Sequence, residues 1–518
     1  MTPDLLIALP LLVPLFTLAV CGVLIRSPRA QLAVSLAGSV LLLTAAIALF
    51  CATYDGTVVS TQFGSWHAPF GITFVADLLS AAMVLITGIM AVTVSLYIIV
   101  STEGANGSSS RFHPLYHGLL LGVTGAFLTG DIFTLYICFE VMLISSFGLL
   151  VIENTSEQLD GGVKYVTLNL VATALLLMSV GFLYGLTGTL NMADLSRTIL
   201  TVSNQGLVVT LSVLFLIAFG TKAAAFPLFF WLPAAYPAAS IPVMTIFAAL
   251  LTKVGVYALL RVLTLIFSDQ LHVLGPFIGV IAAFTMVTGV LGAASHFDTR
   301  RILSFHIISQ IGYMLIGLAI ATPLAIAGSI LYIIHHIVVK ANLFLISGAI
   351  QQAGGSFDLK ALGGLKRREP LLAALFLIPA MSLAGVPPLS GFWAKFVLIQ
   401  ATVQDGAFII AAIALMVGLL TLYSMVKIWN EAFWKAPPDA ARSAGVIGHR
   451  IPVSRRWGTL LPMVSLAAIT LSIGFFPEPF LGYSVRAAEQ LLNPNAYTNA
   501  VLGDTTFTAL PEIEERMR

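Results

Sequence analysis

The chain has 518 residues, of which 58% are hydrophobic and only 9% charged, and its formal net charge is +2. Soluble domains carry about 25% charged residues, so this composition excludes an ordinary water-soluble fold. The small net charge gives no basic surface of the kind that binds nucleic acid.

Hydropathy predicts an all-α polytopic membrane protein with about 14 transmembrane helices, each near or above the roughly 18 apolar residues that a span needs. The first helix follows an acidic start at residues 1–4 with no small-residue cleavage pattern after it, so we expect it to be retained. Only the turn at 129–131 divides spans 4 and 5. The predicted spans are 4–25, 30–53, 72–100, 112–130, 131–152, 161–187, 205–229, 241–265, 270–296, 299–322, 324–352, 369–400, 406–432 and 459–477.

The basic residues of the loops predict the orientation. If the amino terminus is outside, the clusters at 300–301 and 366–368 fall in cytoplasmic loops, and few basic residues, Arg261 among them, fall outside. This asymmetry follows the positive-inside rule and predicts a bacterial inner-membrane protein with both termini outside. A polar loop is predicted at 433–458, and an amphipathic or partly disordered tail from residue 484 ends in an acidic cluster at 512–515.

Three cysteines, Cys21, Cys51 and Cys138, lie far apart within apolar helices, and the nine histidines form no cluster with them. We interpret the cysteines as small buried hydrophobic residues. The sequence therefore predicts no metal site, no haem and no other redox cofactor.

Five charged residues lie in the middle of predicted spans, where a charge is costly and usually faces a bundle interior or a water-filled cavity. They are Glu140, Lys222, Lys253, Lys340 and Lys395. A structural interpretation gives each a salt bridge or a snorkelling position. Four lysines favour titration instead, because a buried lysine can lose its proton near neutral pH and an arginine does not. This set predicts a proton or cation path.

Two spans are predicted to be broken. Pro227 interrupts span 7 five residues after Lys222, and Pro387-Pro388 interrupts span 12 shortly before Lys395. Broken membrane helices line polar cavities and often mark ion sites in transporters. The breaks lie five spans apart, so the two segments run in opposite directions, as inverted repeats require. The predicted divisions are 1–110 for helices 1–3, 111–265 and 266–432 for two five-helix repeats, and 433–518 for the last loop, helix 14 and the tail.

Histidines and two further charges form a second candidate set. His336 and Lys340 are four residues apart and share a helix face, so a histidine that titrates near neutrality could connect two lysine sites. His335 and His306 are similar candidates, and the simpler alternative for all three is a hydrogen bond within the bundle. Asp77 and Lys164 lie near the ends of spans 3 and 6, and both are expected to be interfacial.

Several short segments resemble the antiporter-like subunits shared by respiratory complex I, membrane-bound hydrogenases and Mrp-type sodium/proton antiporters. The resemblance covers spans 2 to 14, and the Mrp branch is the most similar, through the segments 188–195 and 226–237. The segments that carry the family resemblance are Phe139-Glu140-Val141-Met142, Lys222 before Pro227, Leu251-Thr252-Lys253-Val254-Gly255, Asp298-Thr299-Arg300-Arg301 with Ser309-Gln310-Ile311-Gly312-Tyr313, His336 to Lys340 with Leu343-Phe344, and Pro387-Pro388 with Lys395.

The resemblance implies a role for each residue. Glu140 and Lys222 would form the paired charges of one half-channel, and Lys253 would relay protons along the axis with His336 and Lys340. Lys395 would be the exit or partner-facing site; one complex I relative has a glutamate there. The implied partners are a larger homologous antiporter-like subunit and small membrane subunits, and the implied ions are protons and Na⁺, with K⁺ as a second candidate.

Four functions stay open on sequence alone. The leading one is a secondary transporter subunit, not an enzyme, that exchanges cations for protons. The second is a proton-pumping subunit of a redox complex, which would share the same path. The others are a scaffold with a vestigial path and a solitary transporter of organic solutes.

Overall fold

The computed structural model describes residues 3–64, 66–100, 110–437 and 453–503. Most of the predicted 433–458 loop and the acidic cluster at 512–515 lie outside these residues. The described chain is built almost entirely from helices, most of them long and apolar, as the composition predicts.

Twelve helices in the described residues are long and apolar enough to cross a membrane. The other two predicted spans are α4, which has 17 residues, and the pair α16 and α17, which have 15 residues each. The count of 14 crossings therefore stays a prediction. The helices are α1 Pro3–Val23, α2 Pro28–Thr53, α3 Leu78–Val100, α4 Phe112–Leu128, α5 Ile132–Leu150, α6 Ser156–Thr187, α7 Met192–Thr198, α8 Gln205–Ala223, α9 Trp231–Ala235, α10 Ile241–Ile246, α11 Thr252–Leu265, α12 Leu271–Ser295, α13 Thr299–Ile320, α14 Pro323–Gly354, α15 Leu365–Arg368, α16 Pro370–Ala384, α17 Ser390–Gln404, α18 Phe408–Ile428, α19 Val453–Phe475, α20 Pro477–Leu492 and α21 Asn495–Leu502.

A short antiparallel hairpin precedes α3 in the otherwise helical chain. Strand β1, Val59–Phe63, pairs with strand β2, Ile72–Ala76, in a register that sets Val59 opposite Ala76. The predicted span from residue 72 was wrong at its start, because Ile72, Thr73 and Val75 are β-branched residues that favour a strand. The helix begins only after Asp77, whose carboxylate accepts a hydrogen bond from the Ser80 amide at 2.9 Å.

The hairpin joins the two ends of the described chain on one side of the bundle. Thr61 Oγ1 in β1 donates to Asp4 at the start of α1, at 2.5 Å, and Ser60 Oγ donates to the Ala500 carbonyl in α21, at 2.6 Å. Both ends therefore lie on the same side, which we call the terminus face. The amphipathic helices α20 and α21 cover this face, as the sequence predicts for the tail.

Two equivalent caps reveal the internal repeat. Asp131 caps α5 and forms a backbone bridge with Asn191, and Asp298 caps α13 and forms the same bridge with Asp358. Each pair is separated by 60 residues (131 to 191 and 298 to 358). In the predicted order of crossings the first bridge lies on the terminus face and the second on the opposite face. This is the arrangement of two inverted repeats; the limits 111–265 and 266–432 stay predictions.

The two broken helices match in backbone geometry. Each first half ends in a left-handed residue, Ala224 with φ 62° and Gly385 with φ 93°, at an offset of 161 residues (224 to 385). The amide after that residue turns back to a carbonyl five residues earlier, Ala225 to Gly220 and Val386 to Met381. The prediction of two breaks at Pro227 and Pro387-Pro388 is confirmed, because the first halves end shortly before these prolines, at 223 and 384.

The cysteines only partly follow the prediction. Cys21 is buried and Cys138 is half-buried, but Cys51 is exposed on α2. In a membrane bundle an apolar residue can face lipid as readily as the core, so the apolar context of Cys51 did not determine its burial.

Candidate functional site in the membrane centre

All four central lysines lie inside the bundle. Lys253 and Lys340 are 0% exposed, Lys222 is 7% exposed and Lys395 is 6% exposed. Within the described part of the chain, none of their amines forms an ion pair, and each donates to a neutral oxygen instead. Burial without a counter-ion disfavours the ammonium form, and hydrogen bonds to neutral oxygens offset part of that cost.

Lys222 occupies the last turn of α8, just before the break. Its Nζ donates to Thr173 Oγ1 at 2.7 Å and to the Asn169 carbonyl at 3.2 Å, both on α6. The ring of Phe139 lies 5.8 Å from the amine. Glu140 follows Phe139 on α5, and its charge acts on Lys222.

Glu140 and Lys222 are neighbours without direct contact. No ion pair joins them in the described residues, and the half-buried Glu140 has one oxygen, Oε1, without a partner there. Glu140 shares its face of α5 with the exposed side chains of Phe133, Ile137 and Ile144, at helical spacing. Glu140 therefore lies near the edge of this chain, with its Oε1 enclosed and without a hydrogen-bond partner among the described residues.

Lys253 follows a widened turn. Residues 247–251 form a π-helix between α10 and α11, and the Lys253 amine donates back to the Ala248 carbonyl within it. Such turns free backbone groups and are frequent at functional sites. Gly255 brings α11 against the end of α8: a Cβ at this glycine would lie 2.6 Å from the Ala223 nitrogen. Lys253 is thus held beside the break that carries Lys222.

Lys340 and two histidines continue the row of buried groups. Lys340 Nζ donates to the Leu303 carbonyl at 3.0 Å. Both ring nitrogens of His336 and of His306 are buried without a partner among the described residues. His336 lies one turn before Lys340 on α14, and the Lys340 amine bonds to α13, the helix that carries His306. The predicted face with His336 and Lys340 therefore exists, and it contacts α13.

The Lys395 side chain extends from α17 across the second helix break to the end of α16. Its Nζ donates to the Leu383 and Ala384 carbonyls, both at 3.0 Å, which are the last carbonyls of α16. A helix carboxyl end carries partial negative charge, so it stabilises the ammonium form without a counter-ion. His335 lies nearby and shares a 2.8 Å hydrogen bond with Ser390 Oγ. His335 is thus a bonded structural residue on one side, although its Nε2 has no partner in the described chain.

Aromatic rings join Lys395 to the histidines. The amine lies 4.9 Å from the centre of the Tyr313 ring, which stacks on Tyr332 at 5.2 Å. Tyr332 in turn stacks on His336 at 6.4 Å and donates to Gln310. Gln310 and Tyr313 on α13 thus lie between Lys395 and His336. Together these groups form one axis across α8, α11, α14, α13 and α17.

Two members of the second candidate set lie away from this axis. Lys164 pairs with Asp160 at 2.5 Å on the surface, where 53% and 66% of the side chains are exposed. Asp77 lies directly before α3 and is only 1% exposed, and its interfacial position stays a prediction. It forms a 2.6 Å ion pair with Arg261. Arg261 is likewise buried in α11 rather than lying in an outer loop.

Sequence reasoning missed three polar sites, two of them buried and the third half-buried. Arg261 could have been found from its spacing of eight residues from Lys253 on one helix. His113 and His117 lie four residues apart on α4, and His117 Nε2 contacts Ser35 Oγ at 3.0 Å. Lys427 donates to the His296 carbonyl at 2.7 Å beyond the end of α12.

Comparison with known proteins identifies the family. Residues 129–421 match the transmembrane family described as NADH:quinone oxidoreductase/Mrp antiporter. The chain belongs to this family. The D-type subunit of the Na⁺/H⁺ antiporter of Alkalihalophilus pseudofirmus is 44% identical over 497 residues, which is 96% of this chain and 99% of that protein. The predicted resemblance to antiporter-like subunits, and to the Mrp branch in particular, is confirmed.

Two solved structures have the same fold. A chain of the Mrp complex from Dietzia sp. is 34% identical with a TM-score of 0.88, and the match covers 97% of this chain and 100% of that one. A chain of an archaeal membrane-bound sulfane sulfur reductase is 26% identical with a TM-score of 0.85, covering 96% and 99%. Both belong to membrane complexes, so the same fold occurs in an Mrp complex and in a respiratory complex.

Proposed function

We propose that this chain is the D-type subunit of an Mrp-type antiporter, which exchanges Na⁺ for protons and carries protons through the axis of Glu140, Lys222, Lys253, His336, Lys340 and Lys395. The observation that carries the proposal is the set of four buried lysines without ion pairs in the described residues, connected by histidines whose nitrogens lack partners there. The 44% identity to the D-type subunit of a Na⁺/H⁺ antiporter supports the exchange of these two ions.

The axis works because each amine is stable both with and without its proton. A proton that reaches Lys222 from the Glu140 side raises the charge next to Lys253, and like charges in a poorly solvated interior repel. Lys253 then passes its proton towards His336 and Lys340. Water molecules that bond to the unpaired nitrogens of His306 and His336 would complete the chain, since buried polar atoms are normally satisfied by protein or water.

Two inverted halves suit exchange between two sides of a membrane. Lys222 lies at the break of the first repeat, and Lys395 lies at the break of the second, which runs in the opposite direction. Each helix break therefore places one lysine in one half of the proton path. Lys253 on α11, with His336 and Lys340 on α14, connects the two halves. We propose a bacterial inner-membrane location with the terminus face outside, which the basic loops support.

The second candidate is a proton-pumping subunit of a redox complex. A chain of a respiratory sulfane sulfur reductase complex is 26% identical to this one, and this similarity supports the second candidate. The same axis would serve both functions, because the proton path is shared and only the energy source differs. The partner subunits separate the two: a larger antiporter-like subunit and small membrane subunits for the antiporter, quinone or hydrogenase subunits for the redox pump.

The test is pH-dye exchange in membrane vesicles from an antiporter-deficient strain that expresses this chain with its partner subunits. We expect added Na⁺ to release protons, and K⁺ and Li⁺ in parallel vesicles to report cation specificity. Lys222→Ala should abolish exchange while the complex still assembles. Native exchange in vesicles with Lys222→Ala would contradict the relay, and exchange without partner subunits would favour a solitary transporter.

A further inference from the structure

A buried polar row on α11 continues from Lys253 to the terminus face. Lys253, Tyr257 and Arg261 are spaced four residues apart, so they share one helix face and span about 12 Å along the axis. All three are almost fully buried, with 0%, 2% and 3% of their surface exposed. None of the roles given above to the central lysines uses the outer two residues.

The outer end of this row is a buried ion pair. Arg261 Nη2 lies 2.6 Å from Asp77 Oδ2, and both Nε and Nη2 reach the Tyr257 hydroxyl at 3.4 Å. Tyr257 in turn donates to the Phe127 carbonyl at 2.7 Å. A carboxylate, a phenol and a guanidinium thus meet where α11 approaches the terminus face.

Helix α21 closes this cluster from outside. The ring of Tyr497 lies 5.2 Å from the Arg261 guanidinium, and its hydroxyl is buried without a hydrogen-bond partner among the described residues. That hydroxyl lies beside the backbone of Gly130, where a Cβ would come within 3.1 Å of it. Asp131 is the next residue, and its carboxylate accepts a 2.7 Å hydrogen bond from the Thr134 amide. A further phenol near Asp77 is Tyr483, which donates to the Leu78 carbonyl at 2.6 Å.

A purely structural clamp accounts for only part of this arrangement. Asp77 caps α3 and ties it to α11, which a structural role explains. A buried ion pair is seldom a net gain in stability over well-packed apolar residues, and a buried tyrosine hydroxyl normally has a hydrogen-bond partner. A phenylalanine at 497 would fill the same space without an unpaired hydroxyl. The cluster is better explained as a site that water and a proton reach.

We propose that Asp77, Arg261, Tyr257 and Tyr497 form the terminus-face end of the proton path that starts at Lys253, and that α21 is the element that closes it. This rests on the proposed proton relay through Lys253. The Lys253 ammonium gives its proton, through water and the Tyr257 hydroxyl, to the Asp77 carboxylate, which leaves a neutral amine. Protonated Asp77 releases Arg261, and the proton passes to water on the terminus face when Tyr497 moves away.

The experiment measures passive proton leak and Na⁺-driven exchange in vesicles with the assembled complex. Tyr497→Ala removes the closing ring, and we expect the imposed pH gradient to collapse several-fold faster than in the native complex. Tyr497→Phe keeps the ring and should leave the leak at the native level. The matched control is Leu491→Ala, which also shortens a buried side chain of the terminal helices and should not raise the leak.

A double variant tests whether the proton leak of Tyr497→Ala depends on Lys253. Tyr497→Ala with Lys253→Ala should leak no faster than the native complex, because the opened end no longer has a donor. A fast leak in the double variant, or no leak in assembled Tyr497→Ala, would overturn the proposal. Asp77→Asn keeps the cap but not the charge, and we expect it to lose exchange; exchange at the native rate would also overturn it.

The outcomes separate this inference from the relay. If Lys253→Ala alone leaves exchange at the native rate, the proton relay fails and this inference fails with it. If Lys253→Ala abolishes exchange while Asp77→Asn and Tyr497→Ala behave as native, the relay stands and only the proposed end of the path is wrong.

Discussion

At the scale of single residues, the choice of lysine over arginine is the strongest indication of function. Both side chains carry a positive charge, but only lysine can release it when water is removed, because guanidinium stays protonated under all physiological conditions. The described bundle keeps an arginine where a carboxylate neutralises it, at Arg261 with Asp77, and lysines where no carboxylate contacts them. The buried arginine is therefore paired with a carboxylate, whereas the buried lysines have no carboxylate in contact and can titrate.

The first prediction follows from that division. Lys222→Arg keeps the charge and much of the length but cannot titrate, so we expect it to lose exchange as fully as Lys222→Ala, by about 100-fold or more. The measurement is the initial rate of Na⁺-driven dye response in vesicles, normalised to the amount of assembled complex. Lys164→Arg is the matched control: this lysine is exposed and pairs with Asp160 on the surface, so its rate should stay native. Substantial exchange by Lys222→Arg would show that titration of this amine is not needed.

Glu140 gives the second prediction. Its carboxylate lies near Lys222 but does not contact it, and its Oε1 is buried without a partner in the described chain, so its influence on Lys222 is through charge. We expect Glu140→Gln, which keeps the shape and removes the charge, to abolish exchange. Glu140→Asp should retain part of the rate, since the charge remains on the same helix. Glu157→Gln, at an exposed position on α6, is the control that should behave as native; an active Glu140→Gln would exclude a charge-based role.

At the scale of elements, two broken helices create the site because they place backbone carbonyls in the membrane interior. The last carbonyls of α16 accept bonds from Lys395, and the Thr221 carbonyl near the end of α8 accepts a 3.0 Å bond from the Trp231 indole. In the second repeat the carbonyls freed by the break stabilise the Lys395 ammonium group. In the first repeat the Trp231 indole satisfies the Thr221 carbonyl. This difference leaves the Lys222 amine free to reach α6.

Close packing at the breaks gives the third prediction. A side chain at Gly255 would collide with the Ala223 backbone, so Gly255→Val forces α11 away from the end of α8. Such overpacking costs about 1–3 kcal/mol, and we expect a lower thermal midpoint of the detergent-solubilised complex together with slower exchange. Gly181→Val on α6 is the control, since no described atom lies within 4 Å of its added carbon. Equal stability of the two variants would mean that the contact between α8 and α11 is not tight.

The sequence predicted the features that depend on neighbouring residues and missed those that depend on contacts between distant parts of the chain. Hydropathy and proline located the helices and both breaks, since these are properties of neighbouring residues. The hairpin was missed because β2 is apolar enough to resemble the start of span 3. The contact between Asp77 and Arg261 was missed because 184 residues separate them (77 to 261) and both looked interfacial. The direct pairing of Glu140 with Lys222, implied by family resemblance, depends on packing distances that no sequence pattern specifies.

At the scale of the whole molecule, the pseudo-twofold relation between the repeats predicts how the chain is exposed to its two aqueous sides. In the predicted order of crossings the equivalent bridges at Asp131 and Asp298 lie on opposite faces, and the two described ends of the chain share the terminus face. Most basic loop residues, including 366–368, fall on the face away from the termini. The positive-inside rule therefore predicts that the terminus face lies outside the cell.

Cysteine labelling tests this orientation and gives the fourth prediction. Asp55, Asp405, Ser27 and Glu153 are all exposed. The predicted order of crossings puts Asp55 and Asp405 on the terminus face and Ser27 and Glu153 on the opposite face. The background needs Cys51→Ala, since Cys51 is exposed and would otherwise react. With a membrane-impermeant maleimide added to intact cells, Asp55→Cys and Asp405→Cys should be labelled and Ser27→Cys and Glu153→Cys should not.

Permeabilised cells provide the control for that experiment, because all four introduced cysteines should then react. The reverse pattern in intact cells would place the termini inside and reverse the direction of the path, so that the Asp77 and Arg261 end would face the cytoplasm. If Asp55→Cys is labelled in intact cells and Asp405→Cys is not, the two positions lie on different sides. The number of crossings between them would then be odd and not even. The orientation matters for the chemistry because a proton moving from Lys222 towards Arg261 runs inward in one case and outward in the other.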